Sequence, residues 1–224
     1  MQSQAFYVTG TDTGIGKTMG STALLHALRA RGHTAVGMKP VASGCENTPQ
    51  GWRNDDALAL QAASDPQPEY ATLNPYALPA PLAPELAAAD VGVTLSLEPI
   101  VHAFAQLRAQ AQVVVVEGVG GWAAPLSAEL DQADLVRALQ VPVVLVVGVR
   151  LGCINHARLT AAAIAADGLA CVGWIANEVD PQTERVEENI AMLGQRLAMP
   201  CWGRIPWRPG ADAASQARGL QLPV

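Results

Sequence analysis

The stretch Thr9-Gly10-Thr11-Asp12-Thr13-Gly14-Ile15-Gly16-Lys17-Thr18 lies between an apolar strand pattern (Phe6, Tyr7, Val8) and a helical pattern running from Met19 to Arg31. A glycine-rich turn that opens a helix after a strand is a phosphate cradle. Gly16 lets backbone N–H groups close on a β-phosphate, and the helix N-terminus favours its charge. Lys17 reaches the β- and γ-oxygens, and the Thr18 hydroxyl suits Mg²⁺. The literal P-loop spacing asks for four residues between the first glycine and Gly-Lys. Here Thr11 to Ile15 make five after Gly10, so Thr11 stands at the usual glycine position.

Working outward, short and nearly continuous apolar runs recur at residues 5–9, 34–38, 113–116 and 143–149, then 172–176 and, more weakly, 201–205. Such runs suit strands buried on both faces. Helical patterns alternate with them at 17–31, 55–63, 98–111, 131–139, 155–166 and 181–197. The alternation predicts an α/β fold of P-loop NTPase type, with a mostly parallel sheet, helices on both faces and ligands at the carboxyl ends of the strands. The proline-rich segment 65–84 is the main irregular stretch. Its Tyr70, Leu73, Tyr76, Leu78 and Leu82 predict a packed surface excursion, not a linker, and residues 1–224 are expected to form one domain.

Composition narrows the function classes. Half of the 224 residues are hydrophobic and 15% are charged, enough for a large core. The net charge is −6 and the basic residues are scattered, which leaves no electrostatic footprint for nucleic acid or an anionic membrane. Small-molecule partners are expected. Cys45, Cys153, Cys171 and Cys201 form no C-x-x-C or Cys/His cluster, so they read as reduced thiols in a cytoplasmic protein. The apolar run 141–149 is too short to span a bilayer and ends at Arg150, and no leader pattern opens the chain.

The residues that follow each strand carry the candidate chemistry. Glu117 ends a four-valine strand, where P-loop proteins hold the acidic residue that orients Mg²⁺ or its waters. Lys39 follows a buried strand and is expected to face phosphate or an acidic group. Ser43 alone is a turn former as readily as a ligand. Asp55 and Asp56 open a helix, where either could be a plain cap. Of the histidines, His26, His33 and His102 read as solvated or packed. His156, beside Asn155, is the one near the expected active edge. No Ser/His/Asp or Cys/His arrangement emerges, which disfavours nucleophilic hydrolysis.

Beyond the phosphate cradle, several further blocks occur in order: KPVASG at 39–44, RNDDALAL at 53–60, NPY at 74–76, VEGVGGW at 116–122, PVVLVVGVRLGCINHA at 142–157, GWIANEV at 173–179 and GRIPW at 203–207. Together they resemble the dethiobiotin synthetase family over almost the whole chain. The resemblance implies an ATP-dependent ligase of biotin biosynthesis. It would close the ureido ring of dethiobiotin from 7,8-diaminopelargonic acid and CO₂ through a carbamate and a carbamic-phosphoric anhydride. It implies Mg²⁺ held by Thr18, Asp56 and Glu117, catalytic roles for Lys39 and Lys17, and a phosphate loop of Gly14, Ile15, Gly16, Lys17, Thr18 and Met19. Gly118, Val119 and Gly120 would face the reacting centre, while Asn177, Pro206, Trp207 and Arg208 would hold the adenine. Substrate contacts would come from Ser43 and from Gly152, Cys153, Ile154 and Asn155, the latter four across a homodimer interface. Two departures stand out: Gly14 where some relatives carry glutamate, and Asn189 where a substrate-contacting tyrosine would align.

Two other readings compete. A nucleotide-dependent switch or partitioning-type ATPase shares the fold and the irregular phosphate loop. It would usually carry a second lysine early in that loop, where this chain has Thr11-Asp12-Thr13. An amidotransferase-linked synthetase would need a glutaminase domain, for which the chain has no room.

Overall fold

The computed structural model describes residues 4–223. In chain order the elements are β1 (Gln4–Gly10), α1 (Lys17–Ala30), β2 (Ala35–Met38), β3 (Val41–Ser43), β4 (Glu46–Thr48), β5 (Gly51–Arg53), α2 (Asp55–Ala63), α3 (Tyr70–Leu73), β6 (Tyr76–Leu78) and α4 (Pro84–Asp90). There follow α5 (Leu97–Gln110), β7 (Val113–Glu117), α6 (Gln132–Leu139), β8 (Val143–Val149), α7 (Cys153–Ala166), β9 (Cys171–Glu178), α8 (Val186–Arg196), β10 (Cys201–Ile205) and α9 (Ala213–Gln216). Six strands form the central sheet in the order β10-β9-β8-β1-β7-β2. Every pairing in it is parallel, as runs buried on both faces require.

Side-chain alternation along the strands divides the core. Phe6, Val8, Val113, Val115, Val144 and Val146 point to the face covered by Leu24, Leu25 and Leu28 of α1 and Leu60 of α2. Tyr7, Val114, Val116 and Val143 point the other way, against Phe104 and Leu107 of α5 and Leu135 and Val136 of α6. Leu145, Val147 and Trp174 extend that second layer under α7 and α8. With β1 between β7 and β8, its carboxyl end meets theirs, and the loops after all three converge.

Three sequence expectations need correction. The helix predicted from residue 155 begins at Cys153, because Gly152 takes a left-handed conformation (φ 92°) at its N-cap. The helix predicted from residue 181 begins at Val186, after a turn that ends with Arg185 also left-handed (φ 55°). The excursion 65–84 is built of regular pieces. It holds α3 and β6, and β6 pairs parallel with β3 so that Ser43 lies opposite Leu78. The Asn74 amide donates to the Lys39 carbonyl (2.7 Å), tying that excursion to the segment after β2.

Candidate active site

Helix α1 starts at the phosphate loop because Gly16 turns left-handed (φ 79°) at its N-cap. A side chain would not fit there. Its Cβ would stand 2.1 Å from the Asn177 amide nitrogen, which donates to the Ile15 carbonyl (2.8 Å). Lys17 lies buried against the loop, with Nζ donating to the Asp12 carbonyl (3.0 Å). Burial, and after it the charge of Lys39, bring the Lys17 ammonium down to about 8, against the pull of Glu117, Asp56 and Asp12.

Helix α2 separates its two aspartates by what they touch. Asn54 is its N-cap, and its side chain accepts from the N–H groups of Asp56 and Ala57. Neither aspartate is therefore needed as the cap. Asp55 is exposed, while Asp56 turns inward. The Thr18 hydroxyl lies 2.7 Å from Asp56 Oδ1 and 2.9 Å from Glu117 Oε1. Lys39 Nζ lies 2.6 Å from Glu117 Oε1, 3.1 Å from Asp56 Oδ2 and 3.2 Å from the Gly118 carbonyl, to which it donates. Residues from the ends of β2 and β7 and the starts of α1 and α2 thus meet at one point.

Burial works against the Lys39 ammonium, but Glu117 and Asp56 overcome it and hold the group above the ordinary lysine range. Burial likewise pushes the Asp56 carboxyl up. Lys39, the Thr18 hydroxyl and Lys17 reverse that and hold it below the usual carboxylate range. Glu117 is fully buried, and its Oε2 has no hydrogen-bond partner among the described residues.

Beside this cluster opens a cavity of about 880 Å³, lined by Gly14, Gly16, Lys17, Thr18, Lys39, Ser43 and Asp56 together with Val119, Gly120, Gly121 and Ala124. The hydroxyl of Ser43 is buried, with no hydrogen-bond partner among the described residues. A second cavity, of about 240 Å³, shares Gly14 and Gly16 with the first and is walled by Met19, Asn177, Pro206, Trp207 and Arg208. Ile15 lines neither; its side chain is buried in the core against α1 and the sheet. The residues Gly152, Cys153, Ile154 and Asn155 also line neither cavity; Cys153 is buried and Asn155 exposed. His156 is likewise exposed and outside both.

Several site residues escaped the sequence. Asn54 and Thr13 line the larger cavity, as do Pro81, Leu82, Ala83 and Pro84 from the irregular segment. Glu178 and Gln216 join the smaller one. Glu178 accepts from the Trp207 N–H (3.2 Å) and pairs with Arg204. Asn54, directly before two aspartates at a helix start, carried a legible capping signal.

A family profile described as an AAA domain matches residues 4–215. A curated relative, the ATP-dependent dethiobiotin synthetase BioD of Xanthomonas euvesicatoria pv. vesicatoria (strain 85-10), is 90% identical over 223 residues, covering 100% of both chains. The chain belongs to the ATP-dependent dethiobiotin synthetase family. The BioD of Xylella fastidiosa (strain 9a5c) is 66% identical over 221 residues, 98% of each chain.

Solved structures extend the fold comparison beyond the dethiobiotin synthetases. The signal recognition particle receptor FtsY from Elizabethkingia anophelis superposes with a TM-score of 0.57 at 14% identity, over 98% of this chain and 64% of that one. The MinC:MinD cell division complex of Aquifex aeolicus gives a TM-score of 0.56 at 12% identity, over 98% and 87%. At that identity they share the architecture alone. As a dethiobiotin synthetase the chain is an ATP-dependent ligase, which leaves the switch-type ATPase reading without support. Among the described residues no helix is long and apolar enough to cross a membrane.

Proposed function

We propose that this chain, acting as one domain, carboxylates 7,8-diaminopelargonic acid and closes the ureido ring to dethiobiotin in the larger cavity. One substrate amine adds to CO₂ and loses a proton, giving a carbamate. A carbamate oxygen attacks the γ-phosphorus of ATP and ADP leaves. The second amine then attacks the carbonyl carbon of the mixed anhydride and phosphate departs. The carbamate and the mixed anhydride are anionic and sensitive to water, so the site needs fixed positive charge and exclusion of solvent.

The observation that carries this reading is that Lys17, Thr18, Lys39 and Asp56 line a single cavity, with the buried Glu117 carboxylate behind them, bonded to Lys39 and Thr18. Lys17 holds the β- and γ-oxygens and Lys39 faces the carbamate and the transferring phosphoryl group. Ser43, with a buried hydroxyl that has no partner among the described residues, contacts the substrate. The smaller cavity takes the adenine between Asn177 and the Pro206-Trp207-Arg208 turn, so that the phosphates pass over Gly14 and Gly16.

Thr18, Asp56 and Glu117 fit Mg²⁺: all offer hard oxygen atoms, and Glu117 Oε2 is buried without a partner among the described residues. When bound there, Mg²⁺ neutralises charge on the β- and γ-phosphate oxygens.

The test is ATP turnover with and without the diamine and bicarbonate, with dethiobiotin read by mass spectrometry. ADP release that requires both substrates and matches dethiobiotin formed is expected. Turnover indifferent to the diamine would refute the reading.

A homodimer completes the site in this reading. Gly152–Asn155 stands at the catalytic edge yet lines neither cavity of its own chain, and Leu151 on the same turn is 99% exposed. A substrate with an anionic tail needs a second wall, which a twofold partner supplies to each protomer. Mixing Asn155→Ala with Lys39→Gln should restore about a quarter of the sites after random exchange, since half of the dimers are mixed and each has one intact site. No recovery after verified exchange would refute the shared site. The buried Cys45 and Cys153 thiols and the biosynthetic role support a cytoplasmic setting.

A further inference from the structure

Beneath the loop that follows β7 lies a buried polar device that the reaction scheme leaves unused. Gln132, the first residue of α6, and Tyr7, in the middle of β1, are both fully buried. The Tyr7 hydroxyl donates to Gln132 Oε1 (2.6 Å). Gln132 Nε2 donates to the Gly121 carbonyl and, at 3.4 Å, to the Trp122 carbonyl. The polarity of this chain of bonds is forced. Carbonyl oxygens only accept, so the amide nitrogen must face them, the amide oxygen must face Tyr7, and the tyrosine must donate.

The backbone crosses directly over this pair. A Cβ at Gly118 would stand 2.5 Å from Gln132 Oε1 and 2.6 Å from the Tyr7 hydroxyl oxygen, so only glycine lets the chain pass. Gly118 also gives its carbonyl to Lys39 Nζ (3.2 Å) and its N–H to the Val8 carbonyl (2.9 Å). From there Val119, Gly120 and Gly121 run on as part of the lining of the larger cavity, which Lys17 and Lys39 also line. The start of α6 is itself fixed, since the Asp134 carboxylate accepts from the Asp131 N–H (3.0 Å).

We propose that Gln132 is a positioning residue for the ligase reaction: its side-chain amide, oriented by Tyr7, holds the Gly118–Trp122 loop at the height from which its backbone meets the reacting groups. The proposal rests on the reading that the larger cavity houses the chemistry. Gln132 touches no substrate. It acts by setting where the loop amides and the Lys39 acceptor lie, and Tyr7 acts through Gln132. A loop carrying three glycines in four residues, Gly118, Gly120 and Gly121 around Val119, has little stiffness of its own and needs such a clamp.

The test compares Gln132→Met, Tyr7→Phe, their double variant and Gln132→Glu by steady-state kinetics across pH. Gln132→Met should lower kcat about tenfold or more while changing KM for ATP by less than about threefold, as displacement of positioned groups does. Tyr7→Phe should lower kcat less, and the double variant should be no worse than Gln132→Met alone, because the two act in series. In Gln132→Glu a protonated acid still donates to one carbonyl, whereas a carboxylate repels both. Its kcat relative to the unaltered enzyme should therefore fall as pH rises, while the Gln132→Met ratio stays flat.

A Gln132→Met kcat within about twofold of the unaltered enzyme, or additive losses in the double variant, would overturn the proposal. If Gln132→Met fails to fold, Tyr7→Phe and the pH profile of Gln132→Glu carry the decision. Lys39→Gln separates the two levels. Full kcat in that variant would mean that the chemistry lies elsewhere, whereas an inactive Lys39→Gln beside a normal Gln132→Met would overturn the clamp alone.

Discussion

Replacing Lys39 by methionine should cost the empty enzyme far more stability than one side chain's packing. Lys39 and Glu117 are buried at 4% and 0% side-chain exposure, with their charged atoms 2.6 Å apart. At an effective dielectric constant of ~20 that separation corresponds to an attraction of about 6 kcal/mol. Removing both charges from water costs several kcal/mol for each, so the intact pair is close to neutral in its net effect. The variant keeps the burial cost of Glu117 and loses the attraction, leaving the Thr18 hydroxyl as its hydrogen-bond partner. The expected loss is about 3–5 kcal/mol, or a fall in Tm of about 6–20 °C for a chain of this size.

Urea and thermal unfolding, with chelator and without nucleotide, measure it. The double variant Lys39→Met/Glu117→Gln should be more stable than Lys39→Met alone, because it removes the stranded charge. A Lys39→Met loss under about 1 kcal/mol, or a double-variant loss equal to the sum of the singles, would refute this account of the pair.

Other outcomes follow from the same site and core. Lys17 sits near 8 in the free site and ATP phosphates favour its ammonium form, so binding should take up a proton in alkaline buffer. ATP affinity should be full at neutral pH, about halved at pH 8 and about tenfold weaker at pH 9. Calorimetry in two buffers of different ionisation enthalpy checks this, and a flat affinity over that range would refute it. Gly173→Ala would place a Cβ 2.2 Å from Trp202 Nε1, in a side chain only 1% exposed. It should lose about 1–3 kcal/mol of stability, read by unfolding, without altering ATP affinity. Burial pushes the Cys171 thiol up to about 11, so alkylation of the native protein near neutral pH should leave it unlabelled, which peptide mass mapping can verify.

The parts of the molecule readable from sequence were those with strong local causes. Four consecutive valines before Glu117 can only be a doubly buried strand, and β7 runs from Val113 to Glu117. Lys39 and Glu117 were recoverable because strand ends in a parallel sheet meet on one edge. What escaped was set by distant contacts. The three-residue strands β3 and β6 exist only because they pair with each other across the excursion, and no periodicity marks so short a run. Pro81 to Pro84 read as irregular chain and became a wall of the cavity. Gln132 lies in the first turn of a helix, and nothing local announces that its amide reaches back under a loop eleven residues earlier. The residues alone leave Asp55 and Asp56 open, and the family resemblance points to Asp56; in the structure Asn54 caps the helix and Asp56 turns inward to Thr18 and Lys39.

Among the described residues, Gly14 and Gly16 are the two that line both cavities. Neither glycine offers a side chain, so the junction is plain backbone, indifferent to which base or acyl acceptor sits on either side. On the proposed reading, the walls that choose the nucleobase, Asn177 and the Trp207 turn, share no side chain with the walls that choose the diamine. Substitutions at one end can retune nucleotide preference while the carboxylation chemistry at the other end keeps its geometry, which makes this active site two separable modules for laboratory evolution.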